Sequence, residues 1–98
     1  MNRFQKENKE NSSRSTSKPI KTTKYCHLWK QVTVEMDGGG IAAIELITVR
    51  ELNSEEIRFT YYKKESDGKL RFIPRPLDLP FKDLKILLSK AREAGIMD

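Results

Sequence analysis

The sequence predicts an α+β fold, in which a four-stranded antiparallel sheet is followed by one C-terminal helix (ββββα). Four runs rich in β-branched and aromatic residues follow one another with short turn sequences between them, which is the pattern of a β-meander. After the last run, apolar residues recur at helical spacing to the end of the chain. The four predicted strands are Tyr25–Met36, Ile41–Leu52, Glu56–Lys64 and Lys69–Arg75.

The first predicted strand alternates cleanly only from Gln31 to Met36, because Lys30 interrupts the apolar set that Leu28 shares with Val32. Three glycines then follow Asp37 and permit the positive φ angles of a hairpin turn. A phosphate-binding loop is a poor alternative here, since no Gly-Lys-Ser/Thr follows and no helix begins. We therefore expect a tight turn into the second strand.

The second strand, Ile41–Leu52, has apolar residues at both parities. Both of its faces should therefore be covered. One helix can cover one face of a small sheet, and a second copy of the chain is the simplest cover for the other. This pattern predicts a homodimer. The two following turns are expected at Asn53–Glu55 and at Ser66–Gly68.

The helix is expected to begin at Pro80, because proline is favoured at the first helical position. Gly95 fits its C-terminal end. Its apolar residues should form one buried stripe, which we interpret as core packing without chemistry. The stripe consists of Phe81, Leu84, Leu87, Leu88 and Ala91.

The net charge of +5 lies at one end of the chain. Residues 1–24 carry seven basic and two acidic side chains, whereas residues 25–98 carry twelve of each. The first segment is polar and nearly free of aromatic residues, so it is predicted to be a disordered basic tail on a domain of residues 25–98. It is either a solubilising leader or an arm attracted to a polyanion.

The sequence gives little support to an enzyme, a metal site or a cofactor. Cys26 and His27 stand together without the further ligands that a zinc site needs, and no nucleophile with a base can be proposed. One cysteine, a polar start and no long apolar run indicate an intracellular protein without a membrane span. The expected location is the nucleus in a eukaryote, or the cytoplasm and nucleoid in a bacterium.

The last two strands combine cations with aromatic rings, as surfaces for single-stranded nucleic acid do. Ordinary solvated strands with core aromatics are the alternative. Tyr62 shares its parity with Arg58 and Lys64 and is the better stacking candidate; Tyr61 shares its parity with Ile57 and Phe59 and is the better core candidate, although a bulge could reverse this. The predicted nucleic-acid-binding residues are Arg58, Tyr61, Tyr62, Lys64, Lys69, Arg71 and Arg75.

Three short motifs follow one another within residues 47–88, namely Ile47–Leu52, Glu56–Arg58 with Tyr61-Tyr62, and Leu77–Phe81. Their order and spacing resemble the transcriptional coactivator family of positive cofactor 4. Ile47–Leu52 is similar to the family's strand Val-Ser/Thr-Val-Arg-Asp/Glu-Phe, and Glu56–Arg58 with the following Tyr61-Tyr62 is similar to its Asp-Ile-Arg and aromatic pair. Leu77–Phe81 stands where the family has Ile-Ser-Leu and then its helix. Each motif is short, but their order and spacing together are fairly specific.

The resemblance implies a homodimer whose curved sheets bind single-stranded DNA or melted duplex without sequence specificity. It implies that Arg58, Arg71 and Arg75 match basic positions of the family, and that Tyr61 or Tyr62 matches its stacking aromatic. Leu52–Glu55 departs from the pattern, because the family has Phe-Lys-Gly-Lys in this hairpin. This change would weaken or redirect DNA binding.

Two hypotheses follow from the sequence. The first is a single-stranded-DNA-binding regulator of transcription of the coactivator type, with transcription-machinery proteins as further partners. The second is a protein-interaction module, or an RNA-binding protein, that uses the same sheet or its edge.

Overall fold

The computed structural model describes residues 18–98 as one antiparallel sheet with a C-terminal helix, so the α+β prediction is confirmed. The sheet is a curled meander in the order β1-β2-β3-β4-β5. It has five strands and not the predicted four. The elements are β1 (Lys21–Thr22), β2 (Cys26–Glu35), β3 (Gly40–Val49), β4 (Ser54–Lys64), β5 (Leu70–Ile73) and α1 (Phe81–Glu93).

The additional strand, β1, comes from the segment predicted to be a tail. Lys21 pairs with Leu28 and Thr22 pairs with His27 on β2. The Thr23 hydroxyl accepts a hydrogen bond from the Cys26 backbone N–H at 3.1 Å, which fixes the turn between the two strands. Lys21 and Thr22 therefore belong to the sheet. Residues 1–17 of the predicted tail lie outside the described residues.

A β-bulge at Trp29 changes the face on which the residues of β2 lie. Leu28 pairs with Ile47, but Lys30 pairs with Leu46, so Trp29 is the extra residue. Leu28 and Val32 share a parity in the sequence and nevertheless lie on opposite faces of the sheet. The bulge explains why the first predicted strand alternates cleanly only from Gln31 onward.

The helix packs on β2 and β3 and forms the larger core with them. Ile44 of β3 and Leu87 and Ala91 of α1 are fully buried there. We call this side of the sheet the helix face. Phe81, predicted to be buried, is 72% exposed, and Asp83 in the first turn is buried instead. A carboxylate in that turn is stabilised by the positive end of the helix dipole.

The opposite side of the sheet, which we call the open face, carries no helix within residues 18–98. Its β3 side chains are nevertheless buried, from Ile41 to Val49. The neighbouring strands cover them, with Cys26 and Leu28 against Ile47 and with Tyr62 against Ala43. The predicted burial of both faces is confirmed, but one chain achieves it, so this burial is no longer an argument for a second subunit.

The turns differ slightly from the predictions. β3 ends at Val49, and the turn to β4 is Arg50–Asn53, not Asn53–Glu55. Asn53 takes the positive φ of 52° in this turn, a conformation that asparagine tolerates better than most residues. The turn at Gly68 is as predicted. Within residues 18–98, no helix has the length and apolar character needed to cross a membrane.

Candidate nucleic-acid interface

The β4–β5 hairpin carries the predicted binding residues, and its register decides their faces. Tyr62 pairs with Phe72 and Lys64 pairs with Leu70. Through β3, Tyr62 is opposite Ile41 on the open face, whereas Tyr61 is opposite Ala42 on the helix face. Successive residues therefore alternate between the two sides of the sheet.

The predicted residues do not form one surface. Arg58, Tyr62 and Lys64 lie on the open face, whereas Tyr61 and Arg71 lie on the helix face. The remaining two lie outside the strands: Lys69 precedes β5 and Arg75 follows it. A single strand of nucleic acid could not contact all seven on one side of the sheet.

Arg58 and Tyr62 bind a buried carboxylate within the protein. Glu45 lies in the middle of β3, on the open face, and is 0% exposed. Its Oε1 accepts from Arg58 Nε at 2.9 Å, and its Oε2 accepts from the Tyr62 hydroxyl at 2.5 Å and from Gln31 Nε2 at 2.7 Å. A buried carboxylate needs such donors, because burial otherwise penalises its charge strongly. No pattern in the sequence indicates this cluster.

This cluster changes the acid–base properties of both donors. Burial, together with the hydrogen bond to Glu45 and its negative charge, raises the pKa of Tyr62 to about 12. Burial acts to lower the pKa of Arg58, but the hydrogen bond and charge of Glu45 outweigh it and raise that pKa. Tyr62 is only 8% exposed. A ring held in this way has no free face for a base.

Tyr61 is also buried, on the other side of the sheet. The Arg75 guanidinium carbon lies 4.2 Å from the centre of its ring, which is a cation–π contact. On the strand beside it, Gly40 leaves room for the ring: a Cβ there would lie 2.6 Å from Tyr61 Cε1. Tyr61 is therefore a packing residue, as its parity predicted.

The cations of the hairpin differ in how they are engaged. Arg71 forms an exposed ion pair with Glu65, with 2.6 Å between Nε and Oε2. Lys63, Lys64 and Lys69 are exposed, and none of them forms an ion pair with another described residue. Among residues 18–98, these three lysines therefore carry positive charge that no acidic side chain pairs with.

Phe72 is an exposed aromatic residue on the same hairpin as these lysines, and it was not among the predicted site residues. It lies on the open face with 51% of its surface exposed. Its ring meets that of Tyr62 edge-on, with 6.0 Å between the ring centres and 72° between the planes. Lys64 is its diagonal neighbour on the same face. The predicted turn could have identified Phe72 as a site residue, because a turn centred on Asp67 sets Phe72 opposite Tyr62.

A metal centre is not indicated in the part of the chain that the structure describes: residues 18–98 contain no group of three or more metal-ligating side chains. No family model matches this chain, and neither a curated protein nor a solved structure is detectably similar to it. The resemblance to the positive cofactor 4 family therefore stays a prediction.

Proposed function

We propose that this protein binds single-stranded nucleic acid, with DNA as the first candidate, on the open face of the β4–β5 hairpin. The observation that carries the proposal is the half-exposed ring of Phe72 beside the unpaired Lys64. Aromatic rings that stack with bases, surrounded by cations that follow the phosphates, are the usual elements of such a surface.

The residues take different roles from those that the sequence predicts. Phe72 stacks on a base, and Lys64 and Lys69 contact phosphates. Arg58 and Tyr62 are positioning residues: the Glu45 cluster fixes the Tyr62 ring, and that ring supports Phe72 from its edge. Contacts to phosphates carry no sequence information, so binding is expected to be independent of sequence.

The homodimer and the role in transcription rest on the resemblance to the positive cofactor 4 family. We keep both as parts of the proposal, with transcription-machinery proteins as further partners. Because Leu52–Glu55 lacks the lysines of the family's hairpin, we propose that the DNA contacts of this chain lie on the β4–β5 hairpin.

The test is a titration of labelled oligo-dT with the wild-type protein and with Phe72→Ala. Removing one stacked ring should cost about 1–3 kcal/mol of binding, which is a weakening of about 5-fold to 140-fold. Phe81→Ala is the control, because Phe81 is an exposed phenylalanine at the start of α1, outside the hairpin. Wild-type affinity in Phe72→Ala, with the protein folded, would show that the proposed surface is wrong.

The salt dependence tests the phosphate contacts separately. Each phosphate neutralised on a single strand contributes about 0.7 to the slope of log K against log salt concentration. Lys64→Gln should lower the slope by about this amount or less. Lys85→Gln is the matched control, because Lys85 is an exposed lysine that lies over the ring of Phe81 on α1. Equal slopes in the two variants would contradict a phosphate contact at Lys64.

The same titration with oligo-U distinguishes RNA from DNA as the preferred ligand. Failure of both oligomers to bind would exclude the proposed function. The protein-interaction alternative would then take its place.

A further inference from the structure

Among the strands of residues 18–98, none pairs with one edge of the first part of β4. β4 pairs with β3 along Ser54–Lys63 on one side, but on its other side β5 pairs only with Tyr61–Lys64. Within residues 18–98, no strand pairs with Ser54–Thr60 on that side. Alternate residues of this segment therefore present backbone N–H and C=O groups at this edge that another strand can bind.

The side chains at this edge are apolar on the helix face. Ile57 is 38% exposed and Phe59 is 49% exposed. They are uncovered because α1 lies over β2 and β3 and makes no contact with β4. An unpaired strand edge and uncovered apolar side chains thus occur on the same segment.

We propose that a second copy of this chain pairs with Ser54–Thr60, strand β4 against strand β4, antiparallel across a two-fold axis at Ile57. This inference rests on the homodimer of the proposed function and supplies its interface. The paired strands would join the two sheets into one, with both helices on the same side. Ile57 and Phe59 of the two copies would then cover one another.

The length of the free segment fixes the register. A two-fold axis perpendicular to the sheet keeps the helix face of both copies on one side, so residues of equal parity pair with each other. The pairing that uses all seven residues is centred on the middle residue, Ile57. It sets Ser54 opposite Thr60 of the partner subunit.

The charges favour the same register independently. Centred on Ile57, the pairing sets Glu56 opposite Arg58 of the partner subunit, and the reverse by symmetry. Opposite charges directly across a strand pair are stabilising, whereas like charges are destabilising. The neighbouring registers of equal parity, centred on Glu56 or on Arg58, would place two like charges opposite each other. The sequence of this strand is therefore complementary to itself in the register that its free length requires.

The edge of β2 is a poorer candidate for the same contact. β1 covers only its first residues, and beyond them the Lys90 ammonium donates a hydrogen bond to the Thr33 carbonyl at 2.7 Å. A lysine at a strand edge is a common protection against pairing with another chain. Within the described residues, no lysine makes such a bond to Glu56–Thr60.

The first test is sedimentation velocity at tens of micromolar. Wild type should sediment as a dimer, with twice the chain mass of 11.4 kDa. Ile57→Lys with Phe59→Lys should sediment as a monomer that circular dichroism shows to be folded. Phe72→Ala is the matched control: Phe72 is as exposed as Phe59 but lies on the open face, so this variant should remain dimeric. A wild-type monomer, or a folded double-lysine variant that stays dimeric, would overturn the inference.

Cross-linking tests the register even if the lysine variants do not fold. Ile57→Cys places the new thiols next to each other at the two-fold axis, so mild oxidation should give a covalent dimer. Phe81→Cys, on an exposed site away from the edge, should not, and the buried Cys26 of wild type should not. Failure of Ile57→Cys to cross-link would overturn this register.

Failure of the interface and failure of nucleic-acid binding are distinguishable. The monomeric variant should still bind an oligo-dT of about eight nucleotides, a length within the site size of a single binding domain. Phe72→Ala should lose affinity for this oligomer and keep the dimer. A dimer that forms as described but binds no oligomer would support the proposed interface and contradict the proposed nucleic-acid binding.

Discussion

Arg58 and Glu45 form an ion pair across two neighbouring strands, with Arg58 Nε and Nη2 each 2.9 Å from Glu45 Oε1. The carboxylate is fully buried, whereas the arginine side chain is 29% exposed. An ion at the centre of the open face must be compensated by specific donors, because solvent does not reach it. The ion pair between Glu45 and Arg58 therefore helps to hold β3 and β4 in their relative position.

Removing the guanidinium should destabilise the fold. Arg58→Ala leaves Glu45 buried without its counter-charge, a change that costs about 3–5 kcal/mol in comparable sites. Urea denaturation should show a lower midpoint. Arg71→Ala removes an exposed pair with Glu65 and should cost about 0–1 kcal/mol. Equal losses in the two variants would contradict a special role for the buried pair.

The stability of the protein should fall at alkaline pH partly because of Tyr62. Its pKa is about 12 in the folded protein and 10.0 in an unperturbed tyrosine. Its contribution to stability is therefore complete below pH 10 and is lost as the pH rises to 12, where the unfolded chain binds fewer protons. Tyr62→Phe should weaken this pH dependence, as denaturation at pH 7 and pH 11 would show. An unchanged pH dependence would mean that Tyr62 titrates normally.

Gly40→Ala should destabilise the protein, because the new methyl group overlaps the Tyr61 ring. Overpacking of a buried site typically costs about 1–3 kcal/mol. The cost should shrink in a Tyr61→Leu background, which removes the part of the ring that Gly40 faces. A double-mutant cycle in thermal unfolding measures this coupling. Additive effects would show that the ring moves away without cost.

Two truncations should separate the start of the sheet from the residues before it. Deleting residues 1–24 removes β1, the Thr23 hydroxyl that binds the Cys26 N–H, and the Thr23 carbonyl that accepts from Arg50 Nη1 at 2.8 Å. Deleting residues 1–17 leaves these contacts in place. The longer deletion should therefore have the lower thermal midpoint. Equal midpoints would mean that β1 adds nothing to stability.

Local patterns predicted most of the fold. Alternation and turn residues identified the four long segments of the meander, and Pro80 with its apolar stripe identified the helix. β1 was missed because two residues give no periodicity, and because Lys21 and Thr22 lie in a polar, basic segment. The Trp29 bulge was missed because parity alone cannot show where an extra residue interrupts a ladder.

The candidate site was harder to predict, because its residues depend on partners in other strands. Tyr62 has the parity of a surface residue, yet its hydrogen bond to the buried Glu45 on the neighbouring strand makes it part of the interior. Glu45 itself sits in an apolar strand, where the pattern assigned it no role. The position of Phe72 on the open face follows from the register of the β4–β5 hairpin. The composition of the strand alone does not give that register.

The bulge at Trp29 also provides a spectroscopic reporter. It turns the chain's only tryptophan onto the helix face, where the indole donates to the Thr48 hydroxyl at 2.9 Å and packs beside the helix core. Its emission should therefore follow the docking of α1 on the sheet. The open face lies on the other side of the sheet, so a ligand bound at Phe72 would leave this signal unquenched. Fluorescence of the native chain can thus report unfolding during a binding titration without a label on the protein.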